Sequence, residues 1–368
     1  MKKIEGKKGN CPKRKYFCQV ERKELIKGFV QLGKLMVALG EHQSWENFSI
    51  GVTKEEYDQL NRLITKQFFY NGWFTEEHVR TSLASLGYQL TSEKLIEWTN
   101  DYIYCDQPKW VAVIMAGNIP LVGFHDFLCV LLSGNHVVCK LSSDDKTLLP
   151  ALAEHLVHYV PELKERIQFT TGRVAKMDAV IATGSDNSLN YFEQYFGKYP
   201  HIFRKNRTSV AVLSGNETKD DIQQLGHDIF NYFGLGCRNV SHLLLPEGFD
   251  LNRFFEGIIS HSAIVNNNKY ANNYDYNKAI FLLNKQDLLD NHFVLLKESK
   301  ELFSPLAVVH YHYYSSKEDV AEYLETHVDQ IQVVVGNGFI PFGKAQCPLL
   351  DDYADGIDTM RFLETMTR

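Results

Sequence analysis

Short apolar runs rich in β-branched residues alternate with helical patterns from Lys109 onward, and this alternation limits the folds open to the chain. The run Val111–Met115 is too short for a helix, and a helical pattern follows it from Leu121 to Leu132. The runs Val137–Leu141 and Ala179–Ala182 are each followed by another helical pattern. Strands that alternate with helices predict a parallel sheet, so we expect an open α/β domain.

Polar clusters stand where three of these predicted strands end: Gly117-Asn118, Lys140 to Ser143, and Thr183 to Ser185. In open parallel sheets, ligands bind beyond the carboxyl ends of the strands, so the three clusters are candidate binding elements. The chain has no Gly-x-Gly-x-x-Gly motif, so the ordinary dinucleotide fingerprint is absent. Taken alone, Thr183 to Ser185 is also compatible with a plain helix cap.

Two N-terminal segments differ in composition from the rest of the chain. Residues Met1–Lys15 carry seven Lys or Arg and almost no apolar residues, which predicts a disordered tail; an arm for nucleic acid or anionic lipid is the alternative. Residues Glu21–Tyr104 have helical periodicity, with apolar residues three and four apart between Leu25 and Leu39. We expect this helical region to serve as a scaffold.

Composition excludes several classes of function. Hydrophobic residues make up 44% and charged residues 23% of the 368 residues, as in ordinary globular proteins. The net charge of −6 argues against nucleic acid as a partner, and no apolar run is long enough to span a membrane or form a signal peptide. Seven scattered cysteines form no zinc set, so we predict no metal site and a reducing, cytoplasmic location.

The segment Asn231–Val240 is the strongest candidate for catalysis. Its glycines on both sides of Leu235 permit a tight turn with positive φ, so Cys237 is expected to project from a bend between a helix and a strand. Nucleophiles are often held in this way, and the thiolate is the reactive form. The alternative is that Cys237 is a small buried apolar residue.

Residues Phe233 to Val240, which read Phe-Gly-Leu-Gly-Cys-Arg-Asn-Val, resemble the nucleophile segment of the aldehyde dehydrogenase superfamily. The resemblance is to its acyl-CoA reductase branch, which includes the fatty-acid reductase of bacterial luminescence systems. That superfamily uses a variant Rossmann domain without the usual glycine fingerprint. The resemblance therefore implies an aldehyde-dehydrogenase-like α/β fold with an N-terminal helical region. The expected parts are residues 1–105 (tail and helices), 106–207 (cofactor domain), 208–342 (catalytic domain) and 343–368, a tail that packs back on the other domains.

The resemblance also assigns a nicotinamide cofactor and the residues that bind it. Lys140 and the residues after it, including Ser143, are expected to hold the adenosine ribose. Gly184 and Ser185, at a helix N-terminus, are expected to hold the pyrophosphate. NAD-specific relatives commonly have a glutamate where Ser143 stands, so we expect NADPH to be preferred, with NADH possible. The segment Glu301-Leu-Phe303-Ser-Pro matches the superfamily's Glu-x-Phe-Gly-Pro, whose glutamate holds the nicotinamide ribose, with serine replacing glycine.

In the implied reaction, Cys237 attacks a fatty acyl-CoA or another acyl thioester, and the acyl-enzyme is reduced to an aldehyde. The Asn118 side chain and the Cys237 backbone N–H are the expected oxyanion donors. Hydrolytic members of the superfamily carry a glutamate base where this chain has Phe203, so hydrolysis of the acyl-enzyme is expected to be slow. His201 is the alternative base.

Other interpretations of the same resemblance stay open. The chain could be a non-catalytic or acyl-transferring member of this fold that binds acyl thioesters. It could also be an aldehyde-oxidising or acetylating dehydrogenase. We expect a homo-oligomer.

Two further expectations concern local structure after the nucleophile. The apolar run Ala279–Leu283 predicts a strand. The acidic stretch Asp351–Asp358 lacks the spacing of a calcium loop and predicts a solvated loop.

Overall fold

The computed structural model describes residues 21–184 and 186–366. The predicted basic tail Met1–Lys15, two of the cysteines and Ser185 lie outside these described residues. The described part of the chain comprises an N-terminal helical region, two sheets with their helices, and a C-terminal segment.

The N-terminal region is helical because apolar residues recur at helical spacing and threonines cap successive helices. The four helices are α1 (Arg22–Gly40), α2 (Lys54–Tyr70), α3 (Glu76–Gly87) and α4 (Ser92–Thr99). Thr53 and Glu56 form a capping box at the start of α2, and the Thr75 hydroxyl accepts the His78 backbone N–H at the start of α3. The apolar face of α1 is buried in a core that it shares with the first sheet.

The first sheet has five parallel strands in the order β3-β2-β1-β4-β5. Its elements are β1 (Trp110–Ile114), α5 (Phe124–Leu132), β2 (His136–Lys140), α6 (Leu148–Tyr159), β3 (Ile167–Thr170), β4 (Ala179–Thr183), α7 (Asp186–Phe196) and β5 (His201–Arg204). The strand order reverses at β1, which has β2 on one side and β4 on the other. Such a reversal opens a crevice at the carboxyl ends of the strands, where ligands bind in open α/β sheets.

The second sheet has six strands in the order β11-β6-β7-β10-β9-β8, and the pairing of β8 with β9 is antiparallel. Its elements begin with β6 (Thr208–Val212), α8 (Lys219–Phe230), β7 (Val240–Pro246), α9 (Leu251–Ile258) and α10 (Asn268–Leu283). They continue with β8 (Leu289–Asp290), β9 (Leu295–Glu298), β10 (Val308–Tyr314), α11 (Lys317–Thr326) and β11 (Ile331–Gly336). Helix α12 (Thr359–Thr365) lies in the C-terminal segment and packs on α5. The predicted α/β class with parallel sheets is confirmed.

A buried ion pair joins β5 to α5, and its arginine also binds the C-terminal segment. Arg204, at the end of β5, forms two hydrogen bonds to the carboxylate of Asp126 on α5 and a third, of 2.8 Å, to the Thr359 hydroxyl. Both charged side chains are almost fully buried. No sequence pattern indicated this pair, because its members lie far apart in the chain.

Two local predictions are wrong. Residues Ala279–Leu283 form the last turns of helix α10, not a strand. The helix begins beyond Asn267, whose side chain caps it, and only Phe281 of this apolar run is buried. The stretch Asp351–Asp358 is not a solvated loop, because Tyr353 is buried against Trp98 and the carboxylate of Asp355 pairs with Arg207.

None of the helices in the described ranges is both long enough and apolar enough to cross a membrane. Within the same ranges, no three His, Cys, Asp or Glu side chains are grouped so that they could hold a metal ion.

Candidate active site

Cys237 lies in a turn between α8 and β7, and the backbone just before it is strained. Tyr232, Phe233 and Gly234 have φ values of 53°, 58° and 78° in succession. Left-handed conformations are rare for aromatic residues and cluster at functional sites. The predicted positive φ is thus found at Gly234 but not at Gly236. Gly236 instead allows the Asn239 side chain to pack closely against the backbone, since an added Cβ would lie 3.0 Å from the Asn239 side-chain oxygen.

The helical region supports the strained residues. The His78 ring on α3 accepts the Tyr232 backbone N–H at 3.3 Å, and its centre lies 4.7 Å from that of the Phe233 ring. Trp73, just before α3, contacts the same ring at 5.3 Å between centres. The N-terminal helices therefore fix the segment that carries Cys237.

Asn239 fixes the other side of the turn. Its side-chain oxygen accepts the Gly236 N–H at 2.8 Å, and its amide nitrogen donates to backbone carbonyls at the end of α8, including that of Asn231 at 2.8 Å. The Ser209 hydroxyl on β6 donates to the Cys237 carbonyl at 3.0 Å. Sequence reasoning assigned no role to Asn239 or Ser209. The only signal for Asn239 was its place two residues after the cysteine.

The Cys237 thiol is half-buried, and its environment determines its protonation. Burial raises the pKa of the thiol above its ordinary value, and the nearby charge of Arg238 partly opposes this. Arg238 is held by Asp352 at 2.7 Å and by the Ala345 carbonyl. Over the described ranges, no imidazole or carboxylate lies within hydrogen-bonding distance of the thiol.

The structure places Asn118 against the turn that carries Cys237. The loop after β1 places its exposed side-chain amide 2.8 Å from the Leu235 carbonyl, to which it donates. One amide hydrogen is used in this bond and the second is left. The Cys237 backbone N–H has no oxygen acceptor within the part of the chain that the structure describes. These two N–H groups are therefore available to a developing oxyanion.

A cavity of about 190 Å3 reaches Cys237. Its wall combines the helical region, the loop after β1 and the C-terminal segment. The apolar side chains on the wall are those of Leu86, Leu90, Ile119, Pro120, Leu121, Val122, Phe124, Leu128, Pro348, Leu349 and Leu350. Asp352 is the only carboxylate on the described wall, and it is paired with Arg238. The cavity is thus suited to an apolar chain whose reactive end meets the thiol.

The C-terminal wall of the cavity is anchored to helix α8 by Asp228. The carboxylate accepts the backbone N–H groups of Gly343 at 2.7 Å and Ala345 at 2.9 Å. Burial raises the pKa of Asp228 to about 6, although both hydrogen bonds oppose the shift.

The residues predicted to bind a cofactor lie apart from this cavity. Lys140 ends β2, Ser143 is exposed in the loop that follows, and Gly184 follows β4, all at the carboxyl edge of the first sheet. None of the three is on the cavity wall. Ser185 lies outside the described residues.

The carboxyl edge of the first sheet carries two closely packed glycines and the side chain of Lys140. A Cβ added at Gly117 would lie 2.4 Å from the Ser142 hydroxyl oxygen, and one added at Gly184 would lie 2.9 Å from the Ser188 Cβ. Both contacts are therefore possible because glycine has no Cβ. Lys140 is half-buried and has no ion-pair partner within the described ranges, so its cation is available to a ligand. Glycines beside a free cation at a strand-order reversal suit a phosphate-bearing ligand.

Glu301 and Phe303 lie in an exposed segment that precedes β10 in the second sheet. The segment is bound to β7, the strand that follows Cys237, because the Ser241 hydroxyl donates to the Leu302 carbonyl at 3.2 Å. The Glu301 carboxylate makes no hydrogen bond or ion pair with any described residue. It is therefore free to accept hydrogen bonds from a ligand hydroxyl.

Phe203 and His201 project from one face of β5. Their rings are stacked with 4.0 Å between centres, and the His201 ring is hydrogen-bonded to the Tyr199 carbonyl at 2.8 Å. Neither side chain is on the cavity wall.

Residues 97–338 match the family model described as acyl-CoA reductase (LuxC). No curated protein matches the sequence.

Many solved structures have a similar fold. The P. syringae indole-3-acetaldehyde dehydrogenase AldA, in complex with NAD+ and IAA, is 12% identical with a TM-score of 0.61, over 87% of this chain and 72% of that one. An E. coli NADP-dependent enzyme is 13% identical with a TM-score of 0.61, over 87% and 74%. The Mycobacterium tuberculosis aldehyde dehydrogenase, complexed with NAD+, is 14% identical with a TM-score of 0.57, over 84% and 73%. The fold is therefore that of the aldehyde dehydrogenases.

Proposed function

The chain belongs to the acyl-CoA reductase (LuxC) family, and from this premise we propose that it reduces a fatty acyl thioester, such as an acyl-CoA, to the aldehyde. The observation that carries the proposal is the position of Cys237. Cys237 borders an apolar cavity, its own backbone N–H has no oxygen acceptor among the described residues, and the Asn118 amide is bound to Leu235 in the same turn. The apolar wall supports a fatty acyl chain as the bound part of the substrate.

In the first half-reaction, the Cys237 thiolate attacks the thioester carbonyl carbon and forms a carbon–sulfur bond. The carbonyl oxygen becomes an oxyanion, for which the second Asn118 amide hydrogen and the Cys237 N–H are the donors. The oxyanion collapses, the bond to the CoA sulfur breaks, and CoA leaves as a thiolate that takes up a proton. The products are free CoA and an acyl-enzyme on Cys237.

The second half-reaction reuses the same donors. A bound NADPH would supply the hydride that reduces the acyl carbonyl. Asn118 and the Cys237 N–H again face the oxyanion, and its collapse expels the Cys237 thiolate and releases the aldehyde. We assign Lys140, Ser143, Gly184 and Ser185 to the nucleotide, and Glu301 and Phe303 to the nicotinamide riboside; the free charges of Lys140 and Glu301 support this.

The test is to mix purified protein with an acyl-CoA and without a nicotinamide, and to measure its intact mass. The wild type should gain the mass of one acyl group, and Cys237→Ala should gain none. Cys347→Ala is the matched control, because Cys347 is exposed beside the cavity wall and should not be acylated. An adduct that persists in Cys237→Ala contradicts the assignment.

The second part of the test adds NADPH and follows the nicotinamide absorbance. Consumption of NADPH with release of aldehyde is expected. Acylation of Cys237 without any NADPH or NADH consumption would instead identify an acyl-transferring protein.

We also propose a cytoplasmic location and a homo-oligomeric assembly. The five cysteines within the described residues are free thiols, which favours a reducing compartment such as the cytoplasm. The homo-oligomeric state stays a prediction.

A further inference from the structure

Two buried imidazoles converge on the backbone of the segment that carries Glu301. His242 on β7 and His310 on β10 are paired in register across the second sheet. The Nδ1 atom of each ring lies 2.9 Å from the Glu301 carbonyl oxygen. A carbonyl oxygen can only accept, so both rings donate, and together they use both lone pairs of that oxygen.

The hydrogen-bonding partners determine the tautomer of His242. With Nδ1 donating to Glu301, the neutral ring has an acceptor at Nε2, which lies 2.7 Å from Nδ1 of His312. His312 therefore donates to His242. Burial and the neighbouring imidazole of His312 lower the pKa of His242 to about 3, so the ring stays neutral at physiological pH. Burial likewise lowers the pKa of His310.

The carbonyls on either side of Glu301 are held in the same way. The Tyr323 hydroxyl on α11 donates to the Lys300 carbonyl at 3.2 Å, and the Ser241 hydroxyl on β7 donates to the Leu302 carbonyl. Three successive carbonyls of a segment outside any helix or strand are thus bound by side chains from three different elements. The Glu301 side chain, by contrast, is exposed and has no partner within the described ranges. The backbone is fixed and the carboxylate is left free.

We propose that His242 and His310 are positioning residues, which hold the Glu301 segment so that its carboxylate meets the nicotinamide ribose. The inference rests on the proposed function for the role of Glu301. His242 has the larger part, because it is fully buried and linked to His312, so its ring cannot turn away without losing two hydrogen bonds.

The primary test compares His242→Phe with His242→Asn. Phenylalanine keeps the ring but removes the donor, whereas the asparagine amide nitrogen can replace Nδ1–H. The dissociation constant for NADPH alone, measured by calorimetry, should rise by roughly fivefold or more in His242→Phe, the effect of losing one hydrogen bond. It should return toward the wild-type value in His242→Asn. Acylation of Cys237 without cofactor should be unchanged in both.

A double-variant cycle tests whether His242 acts through Glu301. Glu301→Gln alone should weaken NADPH binding, and adding His242→Phe to it should weaken binding little further. Fully additive effects would overturn the proposal, as would a loss of acylation in parallel with NADPH affinity.

Amide hydrogen exchange of residues 299–304, measured without cofactor, separates this inference from the proposed function. Faster exchange in His242→Phe than in the wild type is expected, because the segment loses a tether. Unchanged exchange would refute the positioning role whatever the cofactor data show. If the wild type binds neither NADPH nor NADH, the proposed function fails, and the exchange data still decide whether the histidines hold the segment.

Discussion

The side-chain amide of Asn118 donates a hydrogen bond to the backbone carbonyl of Leu235, 2.8 Å away. Asn118 follows strand β1 of the first sheet. Leu235 lies two residues before Cys237, in the turn that precedes strand β7 of the second sheet. This hydrogen bond therefore ties the loop after β1, which carries the Asn118 amide, to the turn before β7, which carries the Cys237 thiol. A change at Asn118 should affect chemistry more than folding, because the side chain is exposed.

Replacing Asn118 with alanine removes both the bond to Leu235 and the donor to the oxyanion. We expect kcat for acyl-CoA reduction to fall by about 100-fold or more. Steady-state kinetics check this, with thermal unfolding as the test of folding. Asn284→Ala, at an exposed asparagine beyond the end of α10, is the matched control and should behave like the wild type. A kcat within threefold of wild type in Asn118→Ala would exclude an oxyanion role.

The acylation rate of Cys237 should rise with pH. Burial raises the pKa of the thiol, so the thiolate fraction is small at neutral pH and grows about tenfold per pH unit below that pKa. Release of CoA in a single turnover, measured between pH 6 and 8, gives the profile. Arg238→Gln removes a charge that lowers the pKa and should move the profile to higher pH, whereas Arg238→Lys keeps the charge. A flat profile would mean that proton loss from Cys237 does not limit acylation.

We expect a preference for NADPH over NADH. The resemblance implies that Ser143 stands where NAD-specific relatives commonly have a glutamate, and its exposed hydroxyl can donate to a 2′-phosphate that a carboxylate would repel. The measurement is kcat/KM with each cofactor. Ser143→Glu should lower the value for NADPH by about tenfold or more and leave that for NADH nearly unchanged. Equal or higher kcat/KM with NADH in the wild type contradicts the prediction.

The enzyme should oxidise aldehydes to free acids poorly. Hydrolysis of the acyl-enzyme requires a base, and the only carboxylate on the described cavity wall is Asp352, which is paired with Arg238. The resemblance implies that Phe203 stands where hydrolytic relatives carry the base, and in the structure its ring is stacked on that of His201. The assay supplies a long-chain aldehyde and NADP without CoA and quantifies free acid. Multiple turnovers at a rate similar to acyl-CoA reduction would reveal that the protein does supply a base to the acyl-enzyme.

Helices and strands could be predicted from the sequence where a short run of neighbouring residues determines them. The strands β1, β2 and β4 are short apolar runs between turns, and each was located to within about one residue, whereas β5 was not predicted as a strand. The run Ala279–Leu283 was misassigned because five apolar residues fit a buried strand and a helix end equally well. The deciding feature was Asn267, more than ten residues earlier, whose side chain caps the helix that contains this run.

Only those residues of the candidate site that belong to a recognisable sequence motif could be predicted. Cys237 and Asn118 were found by resemblance, and the structure brings them together. The Asp126–Arg204 pair depends on a contact between distant parts of the chain, so no local pattern could indicate it. His310 and His312 stand two residues apart on β10 and so share a face of the strand. Their partner His242 lies on another strand, and only the strand order places it beside them.

The ties between the nucleophile turn and the C-terminal wall have a consequence for biosynthesis. Arg238 is bound to the Ala345 carbonyl, 107 residues further along the chain, and Asp228 is bound to the same segment. During translation, the turn that carries Cys237 leaves the ribosome long before the wall that will cover it. Until that wall has been synthesised, the nascent chain exposes a reactive thiol and an apolar surface to the solvent. A ribosome stalled within this interval would therefore hold a substrate for chaperones and oxidants that the finished protein no longer presents.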